Sequence, residues 1–158
     1  MFKAFIFTIA LVFTAAGVAF GCTNNGGPQA NMGDGSPEAA IGLDSFKWEL
    51  VRIDGEDLKL GEGDTPFLSF DKEKGSAGGN TGCNVFGGNY EQTGENGIRI
   101  FDTVSTMRAC IEDDRMTVER KFMAALLEAD RFEIDGESLK LYKGDALRLE
   151  FRGVAKDN

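Results

Sequence analysis

The residues that could do chemistry are concentrated in Thr81–Tyr90, TGCNVFGGNY. This stretch carries a cysteine, the two amides Asn84 and Asn89, three glycines, and the aromatics Phe86 and Tyr90. A cysteine acts as a nucleophile through its thiolate, and an enzyme usually supplies a neighbouring histidine to generate it. The chain contains no histidine, so Cys-His and Ser-His relays are both ruled out, and the commonest neutral-pH metal ligand is missing with them. There is no G-x-S-x-G elbow and no G-x-x-x-x-G-K-[ST] phosphate loop. The glycines of Gly75–Gly88 are followed by neither Lys-Ser nor Lys-Thr, and read as permitting tight turns and close backbone approach. Glu112-Asp113-Asp114 lacks calcium-loop spacing and reads as a helix cap with a solvated face. The expectation is therefore no catalytic, metal-binding or cofactor-binding residues and no cofactor.

The other two cysteines are Cys22 and Cys110. Cys22 follows a short basic start (Met1-Phe2-Lys3), an apolar run from Ala4 to Ala19, and Phe20-Gly21. Residues 1–21 read as a secretory signal peptide. The placement of Cys22 resembles the bacterial lipobox, with Ala19 standing where leucine is commonest, which makes Cys22 the expected lipidation site. An uncleaved membrane anchor is the alternative, since the apolar run approaches the ~20 residues needed to span. Either way the remainder lies outside the cytoplasm. If Cys22 carries lipid, Cys83 and Cys110 are left as an even pair in a compartment that permits disulfides. They form either one bridge or two buried thiols.

Removing residues 1–21 leaves a chain long enough for one domain with its own core. The net charge of −9 becomes one unit more negative with the loss of Lys3. That charge argues against nucleic acid as a partner and against electrostatic docking on anionic lipid. Residues 22–44 are rich in Gly, Asn and Pro and read as a flexible tether, with a root-mean-square reach on the order of 25 Å. Thr23 rather than Asp after the cysteine resembles an outer-membrane sorting pattern if the envelope has two membranes. Residues 45–153 are expected to be the folded domain, and 154–158 a frayed tail.

Within the domain, alternation in Ser45–Ile53 predicts a strand with Phe46, Trp48 and Leu50 on the core side. Leu58–Leu60 and Pro66–Asp71 are further strand candidates, and Lys72–Asn80 reads as a loop. Asn89–Gln92 and Ile98–Phe101 form a hairpin around Gly94–Gly97. Arg131–Ile134, Ser138–Tyr142 and Ala146–Phe151 are closing strands. Between them, Cys110–Asp130 changes to helical period, capped by Asp113 or Asp114. Its apolar stripe is Val118, Phe122, Ala125, Leu126 and Ala129, widened by Met116, Met123 and Leu127. Glu119 falls inside that stripe, where a carboxylate needs a partner or a route to water. Arg108 or Arg115 could supply the partner, or the side chain could extend past the sheet edge. Finally, Ile53–Phe70 and Ile134–Phe151 share the frame IDGExLKLxxGDxxxLxF. Either two equivalent hairpins lie at opposite ends of a curved sheet, or turn chemistry has converged.

Gly82, Cys83, Asn84, Phe86, Gly88 and Tyr90, followed by Thr106 and Cys110 and then Glu119-x-x-Phe122-x-x-x-Leu126, carry a resemblance to the META domain, or HslJ-like, family. Trp48-x-Leu50 and the closing Leu139-x-Leu141 and Leu149-x-Phe151 extend it over Phe46–Phe151. Ile111 departs from it, where proline often follows the second cysteine, as does Arg108 inside the usual Met-Ala-Cys run. The resemblance implies an α+β fold: a strongly curved antiparallel sheet, open-barrel-like, of about six to eight strands with one helix packed across it. It implies no established catalytic residue. Members are loosely linked to heat shock, drug tolerance, motility and virulence, and many are exported lipoproteins. The expectation is a monomeric, non-enzymatic binding or stress-related accessory protein of the bacterial envelope, outer-membrane in a two-membrane cell. It would be held to the membrane through Cys22 and meet an envelope protein or an apolar ligand. A small carboxylate-based hydrolase or an enzyme inhibitor is the alternative.

Overall fold

The computed structural model describes residues 41–60, 63–110 and 113–156. Residues 1–21, expected to be a signal peptide, Cys22 and most of the expected tether lie outside them. The described chain forms nine antiparallel strands and one helix: β1 Lys47–Ile53, β2 Glu56–Asp57, β3 Phe67–Asp71, β4 Ser76–Asn80, β5 Val85–Thr93, β6 Gly97–Ser105, α1 Asp113–Glu128, β7 Arg131–Asp135, β8 Ser138–Lys143 and β9 Ala146–Val154. β1 pairs with β3, β3 to β9 then follow in chain order, and β1 also pairs with β9, so the curved sheet closes on itself as a ring with β2 a short arm on β1. Its weakest joint is between β6 and β7, which share the single pair Gly97↔Arg131. The helix falls in that interval of the chain and packs on β6, β8, β9 and β1. This is the α+β fold the motif implied.

Side chains fill the ring. Trp48, Leu68, Leu139, Leu141 and Leu149 from the strands and Phe122 and Leu126 from α1 are fully buried. Phe122 sits between sheet rings, edge-on to Phe86 at 5.7 Å and to Phe151 at 6.2 Å, the arrangement that aromatic quadrupoles favour. The inside of the ring is thus filled by side chains of the strands and of the helix. Of the stripe, Phe122, Ala125, Leu126 and Ala129 are buried and Val118, Met116 and Met123 half-buried, while Leu127 is 45% exposed and belongs to the wet side.

Several boundaries differ from the sequence reading. Order begins before Ser45: Leu43–Ser45 is a 3-10 turn, Leu43 is buried, and its carbonyl accepts the Trp48 indole N–H at 2.7 Å. At the far end β9 runs on to Val154, which pairs with Lys47, so the tail is strand to that point. In β1, Val51 has no partner in the β9 ladder. This bulge reverses the alternation, so Arg52 faces solvent and Ile53 is buried. The second strand is Glu56–Asp57 rather than Leu58–Leu60.

Ser76–Asn80, read as loop from its Gly and Ser content, is a strand paired on both sides. Its glycines are a packing requirement. A Cβ on Gly79 would lie 1.9 Å from the Phe67 carbonyl oxygen, and one on Gly78 would lie 2.9 Å from that of Phe86.

The repeated frame also takes two different paths. In the first copy the turn is centred on Asp54-Gly55, both with positive φ, and Ile53 pairs with Glu56. In the second it has slipped by one residue to Gly136-Glu137, and Asp135 pairs with Ser138. After the first turn the chain leaves β1 within two residues, whereas β8 goes on to pair with β9 along its whole length. The shared residues are convergent turn chemistry.

Candidate functional site

The motif residues converge in one place. Between β4 and β5 the chain turns at Gly82, whose φ of +92° is a backbone conformation natural to glycine. Thr81 organises the turn: its hydroxyl accepts the Asn84 N–H at 2.9 Å and donates to the Asn84 carbonyl at 3.1 Å. Asn80 adds a second local bond, accepting the Gly82 N–H at 2.6 Å. This places the Asn84 side chain inward, 2% exposed, against the segment that follows β6.

Every polar atom of the Asn84 amide is engaged. Its oxygen accepts the Thr106 hydroxyl at 2.8 Å and the Arg108 N–H at 2.7 Å. Its nitrogen donates to the Arg108 carbonyl at 3.2 Å and to the Glu119 carboxylate at 2.9 and 3.1 Å. Glu119 is therefore partnered by an amide, neither of the two outcomes considered from the sequence, an arginine partner or an extension past the sheet edge. The two arginines serve the turn instead. Arg108 donates to the Cys83 carbonyl at 2.9 Å, and the buried Arg115 donates to the Gly82 carbonyl at 2.8 Å. Cys83 is bonded to Cys110, with the Cα atoms 5.9 Å apart. The expected bridge is present and closes a separation of 27 residues, worth roughly 3.5 kcal/mol on the chain-entropy model.

The remaining motif residues are architectural. Phe86 meets Phe122 in the core. Tyr90 packs edge-on to Phe70 at 4.8 Å, and burial, then the charges of Asp44 and Asp71, raises its phenol above the usual range. Gly88 lies at a register shift between β5 and β6, where a Cβ would come within 2.9 Å of the Phe101 carbonyl oxygen. The expected turn at Gly87-Gly88 is thus a bulge within a continuous strand. Asn80 was not singled out from the sequence, Thr81 only as the start of the motif stretch, and Arg115 only as a possible partner of Glu119. The one signal that pointed into this network was Glu119, a carboxylate on the apolar arc of a helix.

Other concavities lie elsewhere, among them two with a partly apolar lining, one beside the helix and one on the sheet. A cleft of about 470 Å³ beside α1 has Ile53, Leu58 and Val118 as its apolar part, with Glu56, Asp57, Lys59 and Lys121 around them. Glu56 and Lys121 approach to 3.7 Å within it. A shallower depression of about 430 Å³ lies on β3, β4 and β5, with Gly78, Gly79, Gly87 and Gly88 between Phe67 and Val85. Among the described residues no cluster of three or more Cys, Asp or Glu is arranged to hold a metal ion. The carboxyls of Asp71, Asp130 and Glu133 are held below the ordinary range. The causes are the Lys74 ammonium for Asp71, the Gly144 N–H and then Lys143 for Asp130, and the Tyr142 hydroxyl and then Arg131 for Glu133. A general acid needs a shift in the opposite direction.

The family model of the META domain matches residues 42–156, the whole described fold and most of the chain. The chain belongs to the META domain family. A search of curated proteins finds no match. Among solved structures, this META domain is similar to a protein from Burkholderia xenovorans determined by NMR, at 22% identity and a TM-score of 0.58 over 72% of this chain and 85% of that one. It is also similar to a DUF4847 family protein from Bacteroides vulgatus, determined by crystallography, at 17% identity and a TM-score of 0.53 over 73% and 96%. At these identities the likeness concerns the fold. The match begins at Gly42, in keeping with the buried Leu43 that starts the domain.

Proposed function

We propose that this META domain is a non-enzymatic binding or stress-related accessory module of the bacterial envelope, exported and held to a membrane by lipid on Cys22. The observation that carries the non-enzymatic part is the commitment of the motif itself. Cys83 is in a disulfide, and Asn84, Thr81, Thr106 and Glu119 use their polar atoms on one another or on backbone. The residues best suited to chemistry are thus engaged in holding the turn. The export and anchoring parts rest on residues 1–22 of the sequence, and the disulfide supports an oxidising compartment. Among the described residues no helix is long and apolar enough to cross a membrane. The concave surface best suited to a partner is the cleft beside α1, where an apolar floor and charges of both signs lie together.

The test is Cys22→Ala in cells fed labelled palmitate. The expected outcome is label in the wild type, none in the variant, and release of the variant from the membrane fraction. Label and membrane retention in Cys22→Ala would refute the anchoring.

A further inference from the structure

The disulfide lies in a clasp that already holds its two ends together. Within three residues of Cys83 and four of Cys110, Thr106 N–H donates to the Val85 carbonyl at 3.0 Å and Val85 N–H to the Thr106 hydroxyl at 3.2 Å. The Asn84 amide binds Thr106 once and Arg108 twice, and the Arg108 guanidinium reaches back to the Cys83 carbonyl. None of these contacts uses sulfur. Deleting the S–S bond on paper leaves both chain segments pinned at the same separation, because the β5–β6 hairpin between them is paired from Phe86↔Ser105 to Thr93↔Gly97. The two cysteines also differ in exposure. Cys83 is 3% exposed and lies against Met116, whereas Cys110 is partly exposed. A bridge whose ends are also held by contacts independent of sulfur, with one of its two cysteines partly exposed, is suited to reversible exchange.

We propose that Cys83–Cys110 is a reversible dithiol–disulfide site, exchanged by an external dithiol or thiol through Cys110, on a clasp that the Asn84 amide keeps assembled in both redox states. An incoming thiolate bonds to the Cys110 sulfur and the S–S bond breaks. The electron pair leaves with Cys83, which takes up a proton from water. A second external thiol then attacks the mixed disulfide and releases Cys110 as a thiol. Two electrons and two protons pass to the protein, and the external dithiol ends as its own disulfide. With glutathione disulfide as oxidant the sequence runs backward and yields two molecules of glutathione. The partner class is a thiol–disulfide oxidoreductase or a small thiol, and the site lies apart from the cleft beside α1.

The experiment uses the full chain, purified with its bridge intact. After reduction with dithiothreitol, two free thiols and an unchanged near-ultraviolet circular dichroism spectrum are expected. Loss of that spectrum would overturn the proposal. Brief exposure to glutathione, with alkylation of the freed thiol, is expected to leave glutathione on Cys110 and the alkyl group on Cys83, as read by peptide mass. The reverse labelling would refute entry through Cys110. Reoxidation by glutathione disulfide is expected to slow by about tenfold or more in Asn84→Ala, because the effective concentration of one thiol at the other falls when the clasp loosens. Thr106→Val, which removes one donor and keeps the shape, is expected to slow it less. It provides the rate comparison should Asn84→Ala not fold, and unchanged rates in the folded variants would show that Asn84 does not maintain the site.

Discussion

Two regions tie distant parts of this chain together with polar side chains, and they do so on opposite terms. In the clasp, Asn84 joins the β4–β5 turn to the segment after β6 and to α1, with Asn84 and Thr81 buried. On the outside of β1 and β9, Arg52 holds Asp57 and Glu150, Arg148 holds Asp54 and Glu128, and Arg152 holds Glu49. The contact distances are similar and the sequence separations on the outer face are mostly larger. What differs is the alternative open to each group. An exposed ion pair that separates is rehydrated, so its net contribution is small. A buried amide that loses its partners leaves them without water, so removing it incurs the full desolvation cost. The fold's specificity therefore rests on the clasp, while the outer charges adjust solubility and the response to salt.

The sharpest way to break the comparison is Asn84→Ala. It leaves the Thr106 hydroxyl, the Arg108 N–H and carbonyl and the Glu119 carboxylate without their shared partner. Asn84 is buried, but Glu119 is half-buried and Thr106 and Arg108 are exposed, so the expected loss is about 3 kcal/mol, the upper end of the range for leaving hydrogen-bonding groups unpaired. A stability of roughly 5–15 kcal/mol is ordinary for a domain, so the oxidised variant should fold with a much lower urea midpoint. A midpoint within the scatter of the wild type would mean that water replaces the amide, and the clasp would then be no different from the outer face.

Much of the fold was legible because period and turn chemistry act locally. The last three strands and the helix stand where period placed them, and the β5–β6 hairpin turns where expected although both its strands run well beyond Asn89–Gln92 and Ile98–Phe101. The errors occurred where a distant neighbour sets the conformation. Ser76–Asn80 has the composition of a loop, and only the Phe67 carbonyl lying where a Gly79 side chain would go explains why a strand there is made of glycine. The bulge at Val51 reverses the faces of Arg52 and Ile53, and nothing in alternation itself announces a bulge. The two IDGE frames show the same limit from the other side, with like residues turning at registers one residue apart because different strands receive the chain afterwards. For the site, the motif located the turn and one member of each pairing. The choice of Asn84 over an arginine as partner of Glu119 depends on how α1 docks, a property of the whole ring.

The glycine strand allows a second test, about steric rather than polar burial. Gly79→Ala places a methyl 1.9 Å from the Phe67 carbonyl oxygen, so β3 and β4 must separate. The expected cost is about 3 kcal/mol. Gly87→Ala, on the neighbouring strand, meets nothing within 4 Å and should stay within about 0.5 kcal/mol of the wild type. Equal effects in thermal melts would show that the close approach at Gly79 does not constrain the sheet.

The smallest effects are expected on the outer face, and their smallness is the point of the comparison. Arg148→Ala removes ion pairs to Asp54 and Glu128 and should cost about 1 kcal/mol or less, with the difference from wild type shrinking in 1 M salt. Acid probes the same class of contact without mutation. Asp130 and Glu133 have carboxyls held below their usual range by partners present in the folded chain. Groups depressed in this way contribute stability that is complete above the unfolded-state value, near pH 4, and is lost as pH falls through the lower folded-state value. A urea midpoint that is flat from pH 7 to 5 and falls below pH 4 is the expected result. Both groups are fully exposed, so the decline should be shallow and reduced by salt. A steep, salt-insensitive decline in that window would mean that the acid-labile contacts are not those of the outer face.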